Sequence, residues 1–349
     1  MTLERFQQAA DEDVDKQVRR FNRELTRHYA TARDEIQAEL ERLYARVLDG
    51  VEPDRYYAVA VKYDRLTKLQ QQVREAYLRA ARRAGESVRQ ASRLAMGNTF
   101  YANQYALAAT VGEAQGLTLA FTRMPEDVVG LAVSGASDRF AQLERRYRDR
   151  LGPMGDYVPS SGSTLREILL NRRDVDLKRV QDTITQALIQ GKSVSRATTE
   201  LTRSMAMSRN NAERIIRTET HRTRSLGHYA ASQNAKAQGA RIRRQISSVL
   251  DDRTRPQSAQ VDGLMENDNG QFAYPGGVMV TVPGNSGVAG WDINDRERTI
   301  DVVEGWDLET RRARNPATGE NEVIGMQSFQ RWAEANGLTR NRYGQWVAG

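Results

Sequence analysis

Residues Arg214–Arg255 read RIIRTETHRTRSLGHYAASQNAKAQGARIRRQISSVLDDRTR, and the fold is decided there. From about Arg209 to Gln238 the positions Ala212, Ile216, Glu219, Thr223, Leu226, Ala230 and Ala237 fall on one face of a helix. Gly239 ends it. Ala240, Ile242, Arg244 and Ile246 then alternate with Arg241, Arg243, Gln245 and Ser247, the period of a half-buried strand. Asp251, Asp252, Arg253, Thr254 and Arg255 follow as a turn that returns two acids and two arginines toward the helix. Glu219 lies on the face predicted to be buried. A carboxylate taken out of water without a partner is costly, so a cation must meet it, and Arg253 or Arg255 is the expected one. Glu213 is expected to pair with Arg217 one turn later, beside His221.

Ahead of this stretch the sequence reads as helical scaffold. Leu3–Leu48 contains no Pro or Gly, and Val14, Val18, Phe21, Leu25, Tyr29, Ala32, Ile36, Leu40, Leu43 and Val47 recur at steps of three and four. That predicts one long helix with a single apolar stripe, ended by Asp49, Gly50 and Pro53. A second long helix is predicted from Asp54 toward Gly97, with Leu66, Leu69, Val73, Tyr77, Ala80, Ala84, Val88, Ala91 and Ala95 inward, packed antiparallel on the first. Tyr101 and Tyr105, one turn apart, either pack or stack on bases. Pro125 with Glu126 and Asp127 marks a helix start, and Leu151–Ser163, dense in Gly, Ser and Pro, a loop. Thr164–Gln190 resumes helix, Gly191 closes it, and Ser193 caps a short one through Leu201. Gly191-Lys192-Ser193 is not a phosphate loop, because Gln186 stands where the first glycine is needed and helix precedes it.

After the central stretch, Val278–Val282 and Arg298–Val303 read as strands, Leu308–Gly319 as a linker, and Ser328 as the cap of a short helix carrying Phe329 and Trp332. The fold class is therefore mainly α, long helices with an antiparallel hairpin, plus a small C-terminal α+β domain. The expected divisions are 1–150, a helical arm and hairpin; 151–238, a helical core; 239–306, the small α+β part; and 307–349, a linker and aromatic helix.

Composition narrows the function. The chain has 349 residues, no cysteine and three histidines, so disulfides, thiolate nucleophiles and cysteine metal sites are excluded. No apolar run reaches the roughly 20 residues of a membrane span. The net charge is +7, and the segment Arg196–Arg244, with eleven Lys or Arg against three Glu, carries +8 by itself. Such a stripe either faces phosphates or solvates helix faces. If it faces DNA, the contacts expected are Arg214, Arg222, Arg224, Lys236, Arg241 and Arg243.

The run IIRTETHRTRSLGHYAASQNAKAQGA, then DDRTRP, VDG and DINDRER, resembles the phage Mu F-like minor head proteins, the head morphogenesis family of tailed phages. The residues carrying the resemblance are Arg217, Thr218, Glu219, Asp251, Arg253, Thr254, Arg255, Asp262, Gly263, Phe272, Ile293, Asn294 and Arg296. It extends over Thr164–Val303 and is only general before that. Where the family has a His and two Cys, a metal or redox set in relatives, this chain has Ser258, Asp295 and Glu297. Those two acids either take a hard cation or join Arg296 and Arg298 in a salt-bridged strand. The resemblance implies a portal-associated minor capsid protein acting in head assembly and DNA packaging. Its partners would be the phage portal protein, capsid or scaffold proteins and nonspecific double-stranded DNA, with no membrane. It would lie in the virion, inside the capsid near the portal, and in host cytoplasm during assembly. No catalytic residue, metal or cofactor is expected. The alternatives are an ADP-ribosyltransferase- or nuclease-like effector, for which an Arg plus Glu pair would serve, and a helical adaptor without DNA contact.

Overall fold

A computed structural model of the chain describes residues 3–124, 165–293, 295–342 and 345–348. The features expected at Pro125–Asp127 and Leu151–Ser163, and Asn294 itself, lie outside the described residues. The chain divides into two compact units: one made of Met1–Lys16, Ser92–Thr164 and Thr218–Gly349, the other of Gln17–Ala91 and Leu165–Arg217.

The second unit is helical. It takes its pieces from α1 (Leu3–Val47), α2 (Tyr56–Lys62), α3 (Arg65–Gln115), α4 (Leu165–Ile189) and α5 (Val194–Ala237). Nearly all of the stripe expected on α1 is buried, from Phe21 and Leu25 to Leu40 and Leu43. The same unit buries Val73, Tyr77, Ala80 and Val88 of α3, Val180 and Ile184 of α4, and Leu201, Met205 and Ile216 of α5. The Tyr29 and Tyr77 rings meet edge-on at 6.1 Å, and in the first unit Asp13 accepts from Asn98, so α1 and α3 run antiparallel as expected. Asp176 on α4, with a side chain 2% exposed, is held between Arg172 and Arg179. Gly191 has φ +59°, and a Cβ there would lie 2.7 Å from the Pro53 carbonyl oxygen, so the turn between α4 and α5 admits only glycine. Lys192 pairs with Glu200, which makes Gly-Lys-Ser a helix connection.

Two helices are longer than expected. The helix predicted to stop near Gly97 continues to Gln115, and the two predicted between Val194 and Gln238 are one, Val194–Ala237. A glycine inside a helix costs only about 1 kcal/mol relative to alanine, and burying Phe100, Leu107 and Val111 beyond Gly97 outweighs it.

In the first unit the C-terminal parts of α3 and α5 carry a set of two-stranded antiparallel pairs. β1 (Ile242–Ser247) pairs with β4 (Arg298–Val303), with Arg244 opposite Asp301 and Ile246 opposite Thr299. β2 (Phe272–Tyr274) pairs with β3 (Val278–Val280), β5 (Thr310–Arg314) with β6 (Asn321–Gly325), and β7 (Leu338–Arg340) with β8 (Trp346–Ala348). Short helices α6 (Pro256–Val261), α7 (Ala289–Asp292) and α8 (Phe329–Ala335) lie between them. Leu308–Gly319 is therefore not a linker: its Thr310–Arg314 pairs with β6, and Ala313 joins Leu250, Phe329 and Trp332 in one core. A second core gathers Ile246, Val261, Phe272, Tyr274 and Val280, and a third Leu107, Val111, Leu119, Ala235, Ile242 and Val303. Leu117–Met124 is extended: the Gln238 amide bonds both Ala120 backbone groups and the Gln104 amide both Thr122 groups, in place of a neighbouring strand.

Candidate functional site

α5 crosses α3 closely. A Cβ on Gly227 would meet the Met96 carbonyl group, with its carbon at 3.2 Å and the Met96 Cα at 3.3 Å. Everything from Arg222 to Ala235 on α5 is then buried, whatever its polarity. Because backbone atoms set the spacing, polar side chains on this helix must find partners inside the protein.

Glu219 is buried, as its phase demands, but its partner is neither Arg253 nor Arg255. Arg222, three residues on, donates through Nε at 3.0 Å and Nη2 at 2.7 Å. One helical turn supplies the fork without any long-range approach. Glu213 likewise pairs with Arg209 rather than Arg217, at 3.5 Å, and Arg217 is exposed. His221 reaches Asp295 at 3.2 Å. His228 takes Thr299 at 2.9 Å and lies 3.2 Å from Asp301, to which Ser232 donates at 2.7 Å. Arg224 pairs with Asp15 at 2.9 Å, and Lys236 with Glu266.

Arg244 joins this polar network through Glu266. It occupies the apolar phase of β1 and is fully buried, with its guanidinium 4.5 Å from the Tyr229 ring and 5.2 Å from that of Phe272. Its Nε donates to Glu266 at 2.8 Å, Nη1 to the Thr281 carbonyl at 2.8 Å, and Nη2 to the Gly270 carbonyl at 2.5 Å. Burial pushes the Glu266 carboxyl upward, and the charges of Arg244 and Lys236 with their hydrogen bonds outweigh it, leaving its pKa below the ordinary value.

The turn after β1 repeats the device. Asp251 accepts a two-pronged fork from Arg296 at 2.7 and 2.5 Å, the Thr254 hydroxyl at 3.0 Å and the Arg253 amide at 3.1 Å. Burial raises the Asp251 pKa and the Arg296 fork, ahead of Thr254 and Arg253, brings it below the usual carboxylate value. The Arg253 side chain is otherwise exposed, 63%. Asp262 accepts the Ser248 and Phe329 amides, both at 2.7 Å, and both prongs of Arg311 at 3.0 Å, tying the end of β1 to β5 and α8. Gly263, at φ +82°, donates its N–H back to Ile246.

Arg255 gathers Ser258, Asp295 and Glu297. Its Nε donates to Ser258 Oγ at 3.3 Å, and Nη2 stands 3.6 Å from both Asp295 and Glu297. Its remaining donors cap α7 and the turn after it, at the carbonyls of Gly290, Trp291 and Ile293. Burial lowers the guanidinium pKa, opposed by Asp295. The same burial, with Asp295 and Asp292 nearby, pushes the Tyr274 hydroxyl well up. Among the described residues no group of three His, Asp or Glu is placed to hold a metal ion.

Glu219, Asp251, Arg253, Arg255 and Asp262 thus sit at carboxylate–guanidinium junctions, whereas Arg217 is exposed. The cations expected to face phosphates divide. Arg222 and Arg224 are buried and paired, Lys236 is half-buried on Glu266, Arg243 donates to the Glu266 carbonyl, and exposed Arg241 pairs with Glu304 at 3.0 Å. Arg214 is exposed and donates to Asn211 at 3.4 Å. Glu266, Arg244 and Arg311 escaped the sequence reading, although Arg244 interrupts the apolar phase Ala240, Ile242, Ile246 and so carried a signal.

Residues 178–276 match the family model described as Phage Mu protein F like protein. The chain is 25% identical over 331 residues to the minor head protein GP7 of Bacillus phage SPP1, covering 93% of this chain and 96% of that protein. It is also 29% identical over 177 residues to the NAD(+)--arginine ADP-ribosyltransferase EFV of Enterococcus faecalis (strain ATCC 700802 / V583), covering 51% of this chain but 35% of that one. No solved structure matches. The central helix, strand and turn thus lie inside the match to the phage Mu F-like family model, and nearly the whole length of the chain is similar to a phage minor head protein.

Proposed function

We propose that the chain is a minor component of a tailed-phage head, assembled in host cytoplasm with the portal protein and with capsid or scaffold proteins, and retained in the virion near the portal where DNA is packaged. The similarity to a minor head protein along nearly the whole of both chains carries this reading. A unit closed by buried forks suits a part whose work is to keep its shape against other proteins. Co-expression with the portal and capsid proteins of the same phage tests it: the chain should co-purify with the portal oligomer and sediment with assembled heads. A chain that stays in the soluble fraction in both experiments refutes the proposal.

A second reading follows from the ADP-ribosyltransferase similarity, in which this chain or its relatives modify arginine from NAD. The one buried acid of the central helix, Glu219, is paired with Arg222, which supports a scaffold role for the shared segment. Release of nicotinamide from NAD by the purified chain, abolished by Glu219→Gln, would establish the enzyme instead. The third reading, an adaptor without DNA contact, predicts normal head incorporation and no retention of duplex DNA at low salt.

A further inference from the structure

The positive charge of this protein is not where its local density in sequence suggests. The unit made of Gln17–Ala91 and Leu165–Arg217 has 27 Lys or Arg against 17 Asp or Glu, a net +10, whereas the rest of the chain has 25 against 28, a net −3. Part of the excess lies on neighbouring surfaces of α1 and α3. Arg19, Arg23 and Arg27 recur at four-residue steps along α1, and all three are exposed. Arg82 and Arg83 are exposed on α3. None of these five enters an ion pair among the described residues, although nearby arginines do, Arg20 with Glu24 and Arg79 with Glu35. The Arg79–Glu35 bridge and the Tyr29–Tyr77 contact put the two helices side by side along this length. His28, half-buried on α1, has its pKa lowered first by burial and then by Arg83 of α3, with Arg27 adding to it and Glu24 and Glu86 opposing. Arg27 and Arg83 therefore project into one electrostatic surface.

We propose that duplex DNA is held through its phosphates by this ridge of Arg19, Arg23, Arg27, Arg82 and Arg83, and not by Arg214, Arg241 and Arg243. The partner rests on the phage-head reading; the location rests on charge and exposure. Three arginines four residues apart on a helix span about 12 Å, enough to follow several phosphates of one strand at about 3.4 Å per phosphate along the duplex axis. Guanidinium groups that spend no hydrogen bonds on protein carboxylates keep their donors for phosphate oxygens. The binding is sequence-independent, since no base-reading element is involved.

Fluorescence anisotropy of a short labelled duplex of arbitrary sequence, titrated with full-length chain over a salt series, tests the assignment. Replacing Arg19, Arg23 and Arg27 together by Gln should lower the slope of log affinity against log salt by about 2.7, at roughly 0.9 per phosphate, and Arg82→Gln with Arg83→Gln by about 1.8. The triple variant Arg214→Gln, Arg241→Gln, Arg243→Gln should keep the parent's slope. All these positions are exposed, and unchanged helical circular dichroism and melting temperature check that each variant folds. Ridge variants that bind like the parent, loss confined to the α5–β1 variant, or a parent that binds no duplex at low salt each overturn the proposal. A chain that enters heads yet binds no duplex sinks the ridge alone. A chain that binds through the ridge and never enters heads sinks the head role alone.

Discussion

Replacing Arg244 by Met tests whether buried forks close the first unit. The substitution keeps a flexible apolar side chain between Tyr229 and Phe272 but deletes the donors to Glu266, Thr281 and Gly270. Breaking a buried ion pair from one side typically costs about 3–5 kcal/mol, because the surviving charge stays out of water. Each buried carbonyl that loses its donor adds about 1–3 kcal/mol. Lys236 remains on Glu266 and moderates the loss, so about 3–5 kcal/mol in total is expected. Two compact units make a single global unfolding free energy ill-defined, so the quantity to measure is local. Native-state hydrogen exchange of the β1 and β4 amides reports the opening free energy of that ribbon directly. Glu266→Gln on its own should cost less, since the amide oxygen still accepts a bond. In the double variant the two effects should fall short of additivity by at least about 1 kcal/mol, the signature of residues in contact. Amides in β1 that exchange within about 1 kcal/mol of the parent in Arg244→Met, or strict additivity, would refute the reasoning.

Three further outcomes follow from other contacts. Gly227→Ala gains about 1 kcal/mol of helix propensity but drives a methyl into the Met96 backbone, and overpacking of about 1–3 kcal/mol or more wins, lowering the melting temperature; a stabilised variant would contradict the close crossing. Asp262→Ala frees the Ser248 and Phe329 amides and the Arg311 fork, so limited proteolysis should begin within the last forty or so residues while fragments containing α5 persist. Cleavage no faster than in the parent counts against that anchor. Asp251 and Glu266 both have folded pKa values below their ordinary ones. Their contribution to stability is thus complete above the unfolded carboxylate range of about 4 and is lost as pH falls through the lowered folded values. Acid titration monitored by circular dichroism should show the first unit failing in that window, and Arg296→Gln should flatten the dependence by removing the largest favourable influence on Asp251.

The helices were legible because their signal is periodic and cumulative. The α1 stripe from Phe21 to Leu43 needed no knowledge of its partners, and the alternation over Ala240–Ser247 located β1, which begins two residues later at Ile242. Glu219 was legible as buried from its phase, yet its partner was not, because a residue three positions away and one brought back by a turn are equally plausible until the turn's direction is known. Arg255 turned instead to the carbonyls at the end of α7. The basic stripe misled for a related reason. Charge counted along a sequence does not distinguish an arginine facing water from one forked onto a carboxylate, and Arg222, Arg224 and Arg244 are of the second kind. Leu308–Gly319 was hidden by composition: a strand of Thr310, Arg311, Arg312, Ala313 and Arg314 has little β-propensity, and it forms because Arg311 and Ala313 find buried partners.

A protein fastened by guanidinium–carboxylate forks, with no cysteine anywhere in its sequence, is indifferent to the redox poise of its surroundings. The interior forks are little screened by electrolyte, whereas the surface contacts proposed for DNA are screened strongly. On that proposal, raising the salt should strip nucleic acid from the helical ridge while Asp251, Asp262 and Glu266 keep their arginines. Reductant, with no thiol or disulfide to act on, does neither.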